Sequence, residues 1–434
     1  MKRRDFIKST AVGLATPVLV SSRIFSRPAP NDYIQVGCIG VGRQGQADMM
    51  ELLYRGLEVG ARIVAVCDVD RHRAENAAWL AEKTYAQELG LNRYQRIKIY
   101  HDFRELLRQK EIDAVLIATP DFWHGTAAIL AARAGKHIYL EKPLTYSLVE
   151  GQKLAKAVRN SKVILQVGSQ QRSSIYFLKA CEIVRNGLIG QLEKIMVWLP
   201  EDSGRGDPRP VPVPPNLDYD FWLGPTPEAP YCEDRVHPQM TYERPGWMQI
   251  ETYDRGMIAN WGAHMIDIAQ CGHGTELTGP ISIEAQAEFP DRGLFNVHTK
   301  FKATAVYTDG IPLLMETGDP AGVRFDGSEG WIFVRREELQ ASRPELLNYQ
   351  VGSGEVKLYR SSNHMKNFLE CVRKRQEPAA PVEIGHRTNT ISVITHIAMK
   401  LGRKLRWDPE KEIFPDDPEA NRLLDFPRRK PWLI

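Results

Sequence analysis

Short apolar runs alternate with longer amphipathic runs over the first third of the chain. The apolar runs at 34–39, 63–67, 97–100, 114–118 and 137–140 are typical of strands, and the segments 47–57, 74–89, 103–108 and 127–134 have helical spacing. Strands that alternate with helices predict a parallel, doubly wound sheet that binds its ligand at the carboxyl ends of the strands. Functional side chains are therefore expected directly after each apolar run.

The turn after the first apolar run carries three glycines in G-x-G-x-x-G spacing, at Gly40, Gly42 and Gly45. In a strand-turn-helix context the first allows a tight turn, the second lets the backbone approach a pyrophosphate, and the third lets helix pack on strand. The N–H groups at the helix start, around Arg43 and Gln44, then point at the phosphates. The pattern predicts a dinucleotide-binding loop, with a glycine-rich turn of another α/β protein as the alternative.

The second apolar run ends in Asp68, where a carboxylate would hold the adenosine ribose hydroxyls. A carboxylate there repels a 2′-phosphate, so NAD is predicted as the cofactor. Arg71 and Arg73 follow closely and could pair with a phosphate, which leaves NADP as the less favoured alternative.

The second half of the chain has other patterns. Alternation at 303–307 and 312–315 predicts strands joined by a turn at Asp309 and Gly310, and 365–373 and 388–401 have the apolar stripes of two helices. The segment 200–250 is rich in proline and aromatic residues, Trp222 and His237 among them. Such an insert suits a carbohydrate, because aromatic faces stack on sugar C–H surfaces; an oligomer contact or a structural lid is the alternative.

Length and charge narrow the class of protein. A chain of 434 residues with 43% apolar and 26% charged residues is expected to form two or three soluble domains. Residues 1–30 carry six basic side chains and one acidic one, whereas the whole chain has a net charge of +3, so the remainder is about −2. No basic surface for nucleic acid is therefore expected. The six cysteines form no C-x-x-C pair, so no metal cluster is predicted.

The amino terminus resembles a twin-arginine export signal. Arg3 and Arg4 precede a mildly apolar run at 11–20, which is too short to span a membrane and contains Pro17. Residues 1–31 are therefore predicted to be a signal and linker, with the twin-arginine machinery as a partner and a periplasmic or exported location. A cytoplasmic protein with a basic amino terminus is the alternative, and no stable membrane anchor is expected.

Several motifs, in this order, resemble those of the Gfo/Idh/MocA family, which includes glucose-fructose oxidoreductase and inositol dehydrogenase. The G-x-G-x-x-G turn is followed by D-A-V-L-I-A-T-P-D-x-x-H at 113–124, by E-K-P at 141–143 and by N-W-G-A-H-M-I-D at 260–267. The resemblance implies an α/β fold with an N-terminal Rossmann domain, residues 32–155, and a C-terminal α/β domain, residues 156–434. The second domain would carry a large, mostly antiparallel open sheet with substrate and subunit contacts, so a homo-oligomer is expected.

The resemblance also implies roles for residues after the fourth and fifth apolar runs. Thr119, Pro120 and His124 would lie near the nicotinamide, although a histidine that caps the next helix is nearly as good an interpretation. Glu141 belongs to the E-K-P motif. Lys142 would polarise the reacting hydroxyl and relay its proton, and its peptide bond to Pro143 is often cis in the family.

His264 matches the family's proton acceptor, whose ring titrates near neutral pH. Inositol dehydrogenases carry Asp four residues earlier to orient the imidazole, but this chain has Asn260, which cannot stabilise an imidazolium by charge. Asp267, three residues after His264, could supply the missing carboxylate or be a structural helix residue. After a further strand, Gln170 and Arg172 could bind sugar hydroxyls or join the domains.

The predicted function is NAD-dependent oxidation of a secondary hydroxyl of a sugar, cyclitol or glycoside. Because an exported enzyme meets no soluble nicotinamide pool, a tightly bound and recycled cofactor is expected. One alternative is an NAD-dependent glycosidase that uses transient oxidation and elimination. A second is a nicotinamide-binding protein without catalysis.

Overall fold

The first sheet has six parallel strands, several of them buried on both faces, as the continuous apolar runs predict. The strands are β1 (Ile34–Ile39), β2 (Ala61–Cys67), β3 (Lys98–Tyr100), β4 (Ala114–Ile117), β5 (His137–Leu140) and β6 (Leu165–Val167). Their order across the sheet is β3-β2-β1-β4-β5-β6. The computed structural model describes residues 33–434, so the predicted signal and linker lie outside the described residues.

Five helices connect these strands: α1 (Arg43–Val59), α2 (Arg71–Leu89), α3 (Phe103–Leu107), α4 (Asp121–Arg133) and α5 (Leu148–Ser161). Side chains fix where several begin, since Asp70 accepts hydrogen bonds from the first N–H groups of α2, and Ser147 and Glu150 form a capping box on α5. The predicted domain boundary at residues 155 and 156 falls inside α5. The parallel sheet extends beyond this boundary, because β6 pairs with β5.

The second sheet has eight strands: β7 (Leu192–Leu199), β8 (Ser282–Glu288), β9 (Lys300–Val306), β10 (Pro312–Thr317), β11 (Gly322–Gly327), β12 (Gly330–Arg335), β13 (Glu338–Ala341) and β14 (Leu405–Arg406). Their order is β13-β12-β11-β7-β10-β9-β8-β14. All neighbours are antiparallel except β7 and β10. The predicted fold class, a Rossmann domain followed by an α/β domain with a mostly antiparallel sheet, is confirmed.

The remaining helices are α6 (Ile175–Arg185), α7 (Tyr219–Leu223), α8 (Met257–Asn260), α9 (Gly262–His273), α10 (Pro344–Asn348), α11 (His364–Lys374), α12 (Val382–Leu401) and α13 (Pro418–Arg422). Helices α6, α9 and α12 pack against the second sheet, and α12 also packs against α5. Because α12 lies between the first and the second sheet, most of its side chains are buried. Within residues 33–434 no helix is both long and apolar enough to cross a membrane.

Candidate active site

The turn between β1 and α1 has the shape that a dinucleotide needs. Gly40 has φ +78°, and a Cβ on it would lie 2.8 Å from the backbone of Ala118 and Thr119. A Cβ on Gly45 would lie 2.0 Å from the carbonyl oxygen of Gly40, so helix and strand pack closely there. At Gly42 no heavy atom lies within 4 Å of the Cβ position, and no acidic residue occupies the first turn of α1. The loop and helix start therefore fit the pyrophosphate of a dinucleotide.

Asp68 lies at the end of β2, beside this loop. Its carboxylate accepts the N–H of Val41 at 2.9 Å and that of Asp70 at 2.9 Å. Burial raises the pKa of Asp68, and these two hydrogen bonds oppose the rise. Each carboxylate oxygen has a further lone pair, so Asp68 is placed to accept ribose hydroxyls while its position is held by the backbone.

Both arginines near Asp68 make contacts within the protein. The guanidinium of Arg73 is buried, donates to the carbonyls of Pro238 and Thr241 at 2.7 and 2.9 Å, and lies 4.4 Å from the ring of Tyr242. Arg71 pairs with Glu75 on the helix surface at 3.6 Å. The site therefore fits NAD.

The insert at 200–250 is attached to the end of β2. Nε2 of His237 lies 2.9 Å from Oδ2 of Asp70, and Asn216 donates to the other carboxylate oxygen at 2.9 Å. Burial by itself would raise the pKa of Asp70, but the hydrogen bonds from His237 and Asn216 lower it to about 2. His237, predicted to bind substrate, thus lies beside the cofactor's predicted ribose site and fastens the insert to it.

One cavity runs along the carboxyl ends of the strands and is covered by this insert. Its wall from the insert includes Phe221, Pro245, Trp247 and Met248. The predicted site residues that line the cavity are Gly40, Gly42, Arg43, Gln44, Asp68, Thr119, Pro120, His124, Glu141, Lys142, Trp222, His237 and Asn260. Gly45, Gln170, Arg172, His264 and Asp267 do not line it.

Lys142 follows β5 and faces this cavity, and its peptide bond to Pro143 is cis. On one side of it lie Asp48 of α1 and Glu141, whose carboxyl groups are close enough to share a hydrogen bond. Gln44 donates to Asp48 at 2.9 Å, and Gln170 donates to Glu141 at 2.7 Å. Burial raises the pKa of both carboxyls, and the charge of Lys142 opposes the rise. Burial therefore favours the protonated form of these two carboxyls beside the lysine.

A second carboxyl pair, Asp121 and Asp254, lies near Lys142 as well. Asp121 begins α4 and Asp254 precedes α8, and both side chains are buried. Their carboxyl groups are close enough to share a hydrogen bond. Asn260 donates to Oδ2 of Asp254 at 2.6 Å, and the N–H of Gly256 donates to Oδ1 at 3.0 Å. Sequence reasoning identified neither aspartate as part of the site.

The electrostatics of this second pair suit proton exchange at neutral pH. Burial raises the pKa of Asp121 well above its usual range, and the charge of Asp254 adds to the rise. Burial also raises the pKa of Asp254, to about 7, against the hydrogen bond from Asn260. Lys142 lowers the pKa of both groups. Burial thus favours the protonated form of Asp121, and the carboxyl of Asp254 is placed to exchange a proton near pH 7.

His124 and His264, both singled out by sequence, are buried. Nδ1 of His124 lies 2.6 Å from the carbonyl oxygen of Pro143 and Nε2 lies 3.0 Å from that of Thr119, while burial lowers its pKa to about 4. His124 therefore connects the turns after β4 and β5. Burial, together with the charges of Lys142 and Arg336, holds the pKa of His264 well below its usual range. A protonated His264 is thus disfavoured, and its Nδ1 has no hydrogen-bond partner within residues 33–434.

Asp267 does not supply a carboxylate to His264. It forms two hydrogen bonds with the guanidinium of Arg172, at 2.7 and 2.8 Å, and accepts the hydroxyl of Thr388 at 3.2 Å. Arg172 also donates to Glu276 at 2.7 Å. These buried groups join α9, α12 and the turn after β6, so Asp267 and Arg172 have a structural role here and do not face the cavity.

Replacing Asp267 by Asn should therefore lower stability. The substitution leaves the buried Arg172 with half of its charge partners, and we expect the free energy of unfolding to fall by about 3 kcal/mol. Denaturant unfolding at neutral pH measures this change. Asp309→Asn, at a half-exposed carboxylate, is the control, with an expected change within about 0.5 kcal/mol. Unchanged stability of Asp267→Asn with loss of catalysis would instead assign Asp267 to the reaction.

Sequence reasoning did not identify the carboxyl groups of Asp48, Asp121 and Asp254, and the sequence signal for each of them differs in strength. Asp121 stands inside the T-P-D-x-x-H motif, but its position reads as a helix start, which a carboxylate commonly occupies. Asp48 lies within the helical run after the glycine loop, and Asp254 belongs to no motif. Asp121 and Asp254 come together because the insert and α8 approach the first sheet, and no local sequence pattern contains that approach.

Comparison with known proteins agrees with this geometry. Residues 34–169 match the family described as "Oxidoreductase family, NAD-binding Rossmann fold", and residues 181–434 match "Oxidoreductase family, C-terminal alpha/beta domain". The WlbA dehydrogenase of Bordetella pertussis, solved with NADH and UDP-GlcNAcA, superposes with a TM-score of 0.61 at 18% identity, covering 87% of this chain and 99% of that one. That likeness concerns the fold.

Two curated relatives match in sequence. One is scyllo-inositol 2-dehydrogenase (NAD(+)) of Bacillus subtilis, 36% identical over 36% of this chain and 42% of the relative. The other is glycosyl hydrolase family 109 protein 2 of Shewanella sp., 30% identical over 44% of each chain. The match spans less than half the length of both relatives. Since the two family matches together cover most of the chain, this protein belongs to the Gfo/Idh/MocA oxidoreductase family and carries its NAD-binding Rossmann domain.

Proposed function

We propose that this oxidoreductase acts on a secondary hydroxyl of a sugar, cyclitol or glycoside and keeps its NAD bound throughout the reaction. The observation that carries the proposal is the single cavity in which the dinucleotide loop, Asp68 and Lys142 face an aromatic wall from the insert. Aromatic faces such as those of Trp222 and Trp247 suit the C–H surfaces of a sugar ring. The inositol dehydrogenase relative is consistent with a polyhydroxylated substrate.

The attachment of the insert supports cofactor retention. His237, Asn216 and the backbone carbonyls that Arg73 binds hold the insert at the end of β2, next to Asp68. A dinucleotide that lies along the strand ends would then be covered on its adenosine side. Release would require several of these buried hydrogen bonds to break, so slow dissociation is expected.

The chain's own groups supply what alcohol oxidation needs. When bound, NAD accepts the hydride. The ammonium of Lys142 donates a hydrogen bond to the substrate oxygen and stabilises negative charge that develops there. Neutral His264 lies nearby as a hydrogen-bonding group, but its surroundings oppose protonation. In this site a lysine therefore positions the substrate hydroxyl, and nearby carboxyl groups are the groups that can accept its proton.

An exported location and a homo-oligomer belong to the same proposal. The twin arginines of the amino terminus support export by the twin-arginine route, which carries folded proteins and so allows loading of NAD beforehand. The open face of the second sheet is the proposed subunit contact. Fractionation of cells that produce the full chain and the mass of the purified protein in solution test the two points.

A glycosidase that returns its hydride within each turnover is the second candidate, because one relative is named a family 109 glycosyl hydrolase. Oxidation of a ring hydroxyl acidifies the neighbouring C–H, so the glycosidic group can be eliminated. Water then adds to the resulting double bond, and return of the hydride to the carbonyl leaves no net redox change. Both candidates use the same lysine and the same bound NAD.

Protein purified without added cofactor should contain about one NAD per chain, which denaturation releases for identification. Adding sugars and aryl glycosides to the intact protein should change the nicotinamide absorbance without release of the cofactor, because the insert covers its site. Liberation of the aglycone would assign the glycosidase cycle. Protein that emerges empty and shows no redox change with any of these compounds would contradict the proposal and leave a nicotinamide-binding role.

A further inference from the structure

The proton of the substrate hydroxyl needs an acceptor, and the groups near Lys142 differ in their ability to take it. An ammonium cannot accept a proton, and His264 lies in a place where burial and the positive charges of Lys142 and Arg336 disfavour an imidazolium. Asn260, at the position of the carboxylate in inositol dehydrogenases, cannot accept a proton either. The acceptor must therefore be another group near the lysine.

We propose that the carboxyl pair Asp121–Asp254 receives the hydroxyl proton of the substrate, with Lys142 passing it on from the reacting oxygen. This inference rests on the proposed function above. In the step, the substrate C–H gives its hydride to NAD and the O–H bond breaks as the carbonyl forms. The ammonium of Lys142 gives one of its own protons to the ionised carboxylate of the pair and takes the hydroxyl proton in its place. In the return reaction the same proton goes back to the product oxygen.

The position of the pair fits this role. Asp121 lines the cavity with Lys142 and Asn260, whereas Asp254 lies behind them, fully buried. Oδ2 of Asp121 is buried and has no hydrogen-bond donor from residues 33–434, so it needs a proton of its own to face Asp254. Both oxygens of Asp254 accept N–H groups, from Asn260 and Gly256, which orient it toward its partner.

Asn260 has a different task in this arrangement. Its amide donates to Oδ2 of Asp254 at 2.6 Å and to the carbonyl of Gly256 at 3.2 Å. It is therefore a positioning residue that holds the carboxylate of Asp254 in place. The substitution of Asn for Asp at this position moves the acidic function to Asp254 and does not remove it.

The charges around the pair make it an acceptor at neutral pH. Lys142 and Arg255 favour the ionised form of Asp121; Lys142 and Arg244 favour that of Asp254, which Asp202 opposes. The resulting pKa of Asp254, about 7, is in the range in which a general base is both ionised and basic enough. The charge of Lys142 also lowers the pKa of Asp48 and of Glu141, which burial raises.

The pH dependence of single-turnover reduction of the bound NAD by a sugar tests the assignment. Because the acceptor must be ionised, the wild-type rate should rise about tenfold per pH unit and level off near pH 7. Asp254→Asn should lower the rate about 100-fold and abolish the change of slope, the break, in the pH dependence of the rate near neutral pH. His264→Gln should keep this break. Glu182→Gln, at a buried carboxylate paired with Arg360 far from the cavity, is the control and should behave as wild type.

An infrared titration gives a readout without turnover and needs no sugar. As the pH is raised through neutrality, the wild-type protein should lose the signal of one protonated carboxyl, and this change should be absent in Asp254→Asn. If that variant does not fold, the wild-type holoenzyme provides a second test. Its reduction by a sugar should add the signal of a protonated carboxyl and no imidazolium signal. A break that survives in Asp254→Asn, or an imidazolium signal on reduction, would overturn the inference alone. Failure of every sugar to reduce the bound NAD would overturn the proposed function and this inference with it.

Discussion

Lys142→Met should lower the rate at which a sugar reduces the bound NAD about 1000-fold, while the protein still contains its cofactor. The lysine is the group proposed to bind the reacting oxygen, whereas many other residues line the cavity proposed for NAD. The loss of its charge should also raise the pKa of the two carboxyl pairs, which the ammonium now lowers. Single-turnover absorbance measures the rate, and denaturation followed by nicotinamide analysis measures the occupancy.

Two further variants make this result specific. Lys142→Arg keeps the positive charge but does not release a proton at any relevant pH, so partial recovery would separate charge stabilisation from proton relay. Lys98→Met removes an exposed lysine of β3, which pairs with Glu111. This variant should leave the rate unchanged. A full rate in Lys142→Met would show that the lysine has no part in the chemistry.

The Rossmann domain could be predicted because its information is local. The glycine loop, Asp68 and the E-K-P motif each follow an apolar run, and parallel strands bring all of their carboxyl ends to one edge of the sheet. The residues predicted after β1, β2, β4 and β5 line the cavity, apart from Gly45, which lets α1 pack closely on β1. Gln170 and Arg172, predicted after β6, do not line it. Family resemblance supplied the second domain, whose alternating patterns identified only some of its strands.

Side chains from the second half of the chain were harder to place. The composition of the insert indicated a loop-rich segment but not where it attaches, so the contact of His237 with Asp70 was not predicted, although His237 does line the cavity. Arg172 and Asp267 were both considered for the site, yet they bond to each other inside the second domain. A buried pairing between distant residues leaves no periodic signal, and for the same reason Asp254 escaped notice.

Gly42→Ala should separate cofactor binding from folding. The Cβ of alanine meets no heavy atom within 4 Å, and Gly42 has φ −72°, so the free energy of unfolding of the cofactor-free protein should stay within about 0.5 kcal/mol of the wild-type value. The methyl group would project where the pyrophosphate must approach the backbone. Overpacking of that contact costs about 1–3 kcal/mol, so NAD affinity should fall about 5- to 150-fold.

The companion variant Gly45→Ala should behave differently, because its Cβ would lie 2.0 Å from the carbonyl oxygen of Gly40, a backbone atom that cannot move aside. It should lose stability as well as NAD. Gly279→Ala, where the nearest atom is a proline carbon at 3.8 Å, is the matched control and should change neither quantity. Calorimetric titration of the cofactor-free variants with NAD, and denaturant unfolding of the same samples, measure both. Wild-type affinity in Gly42→Ala would mean that the dinucleotide does not approach the chain at this loop, and the assignment of the cavity would have to be redrawn from Asp68 outward.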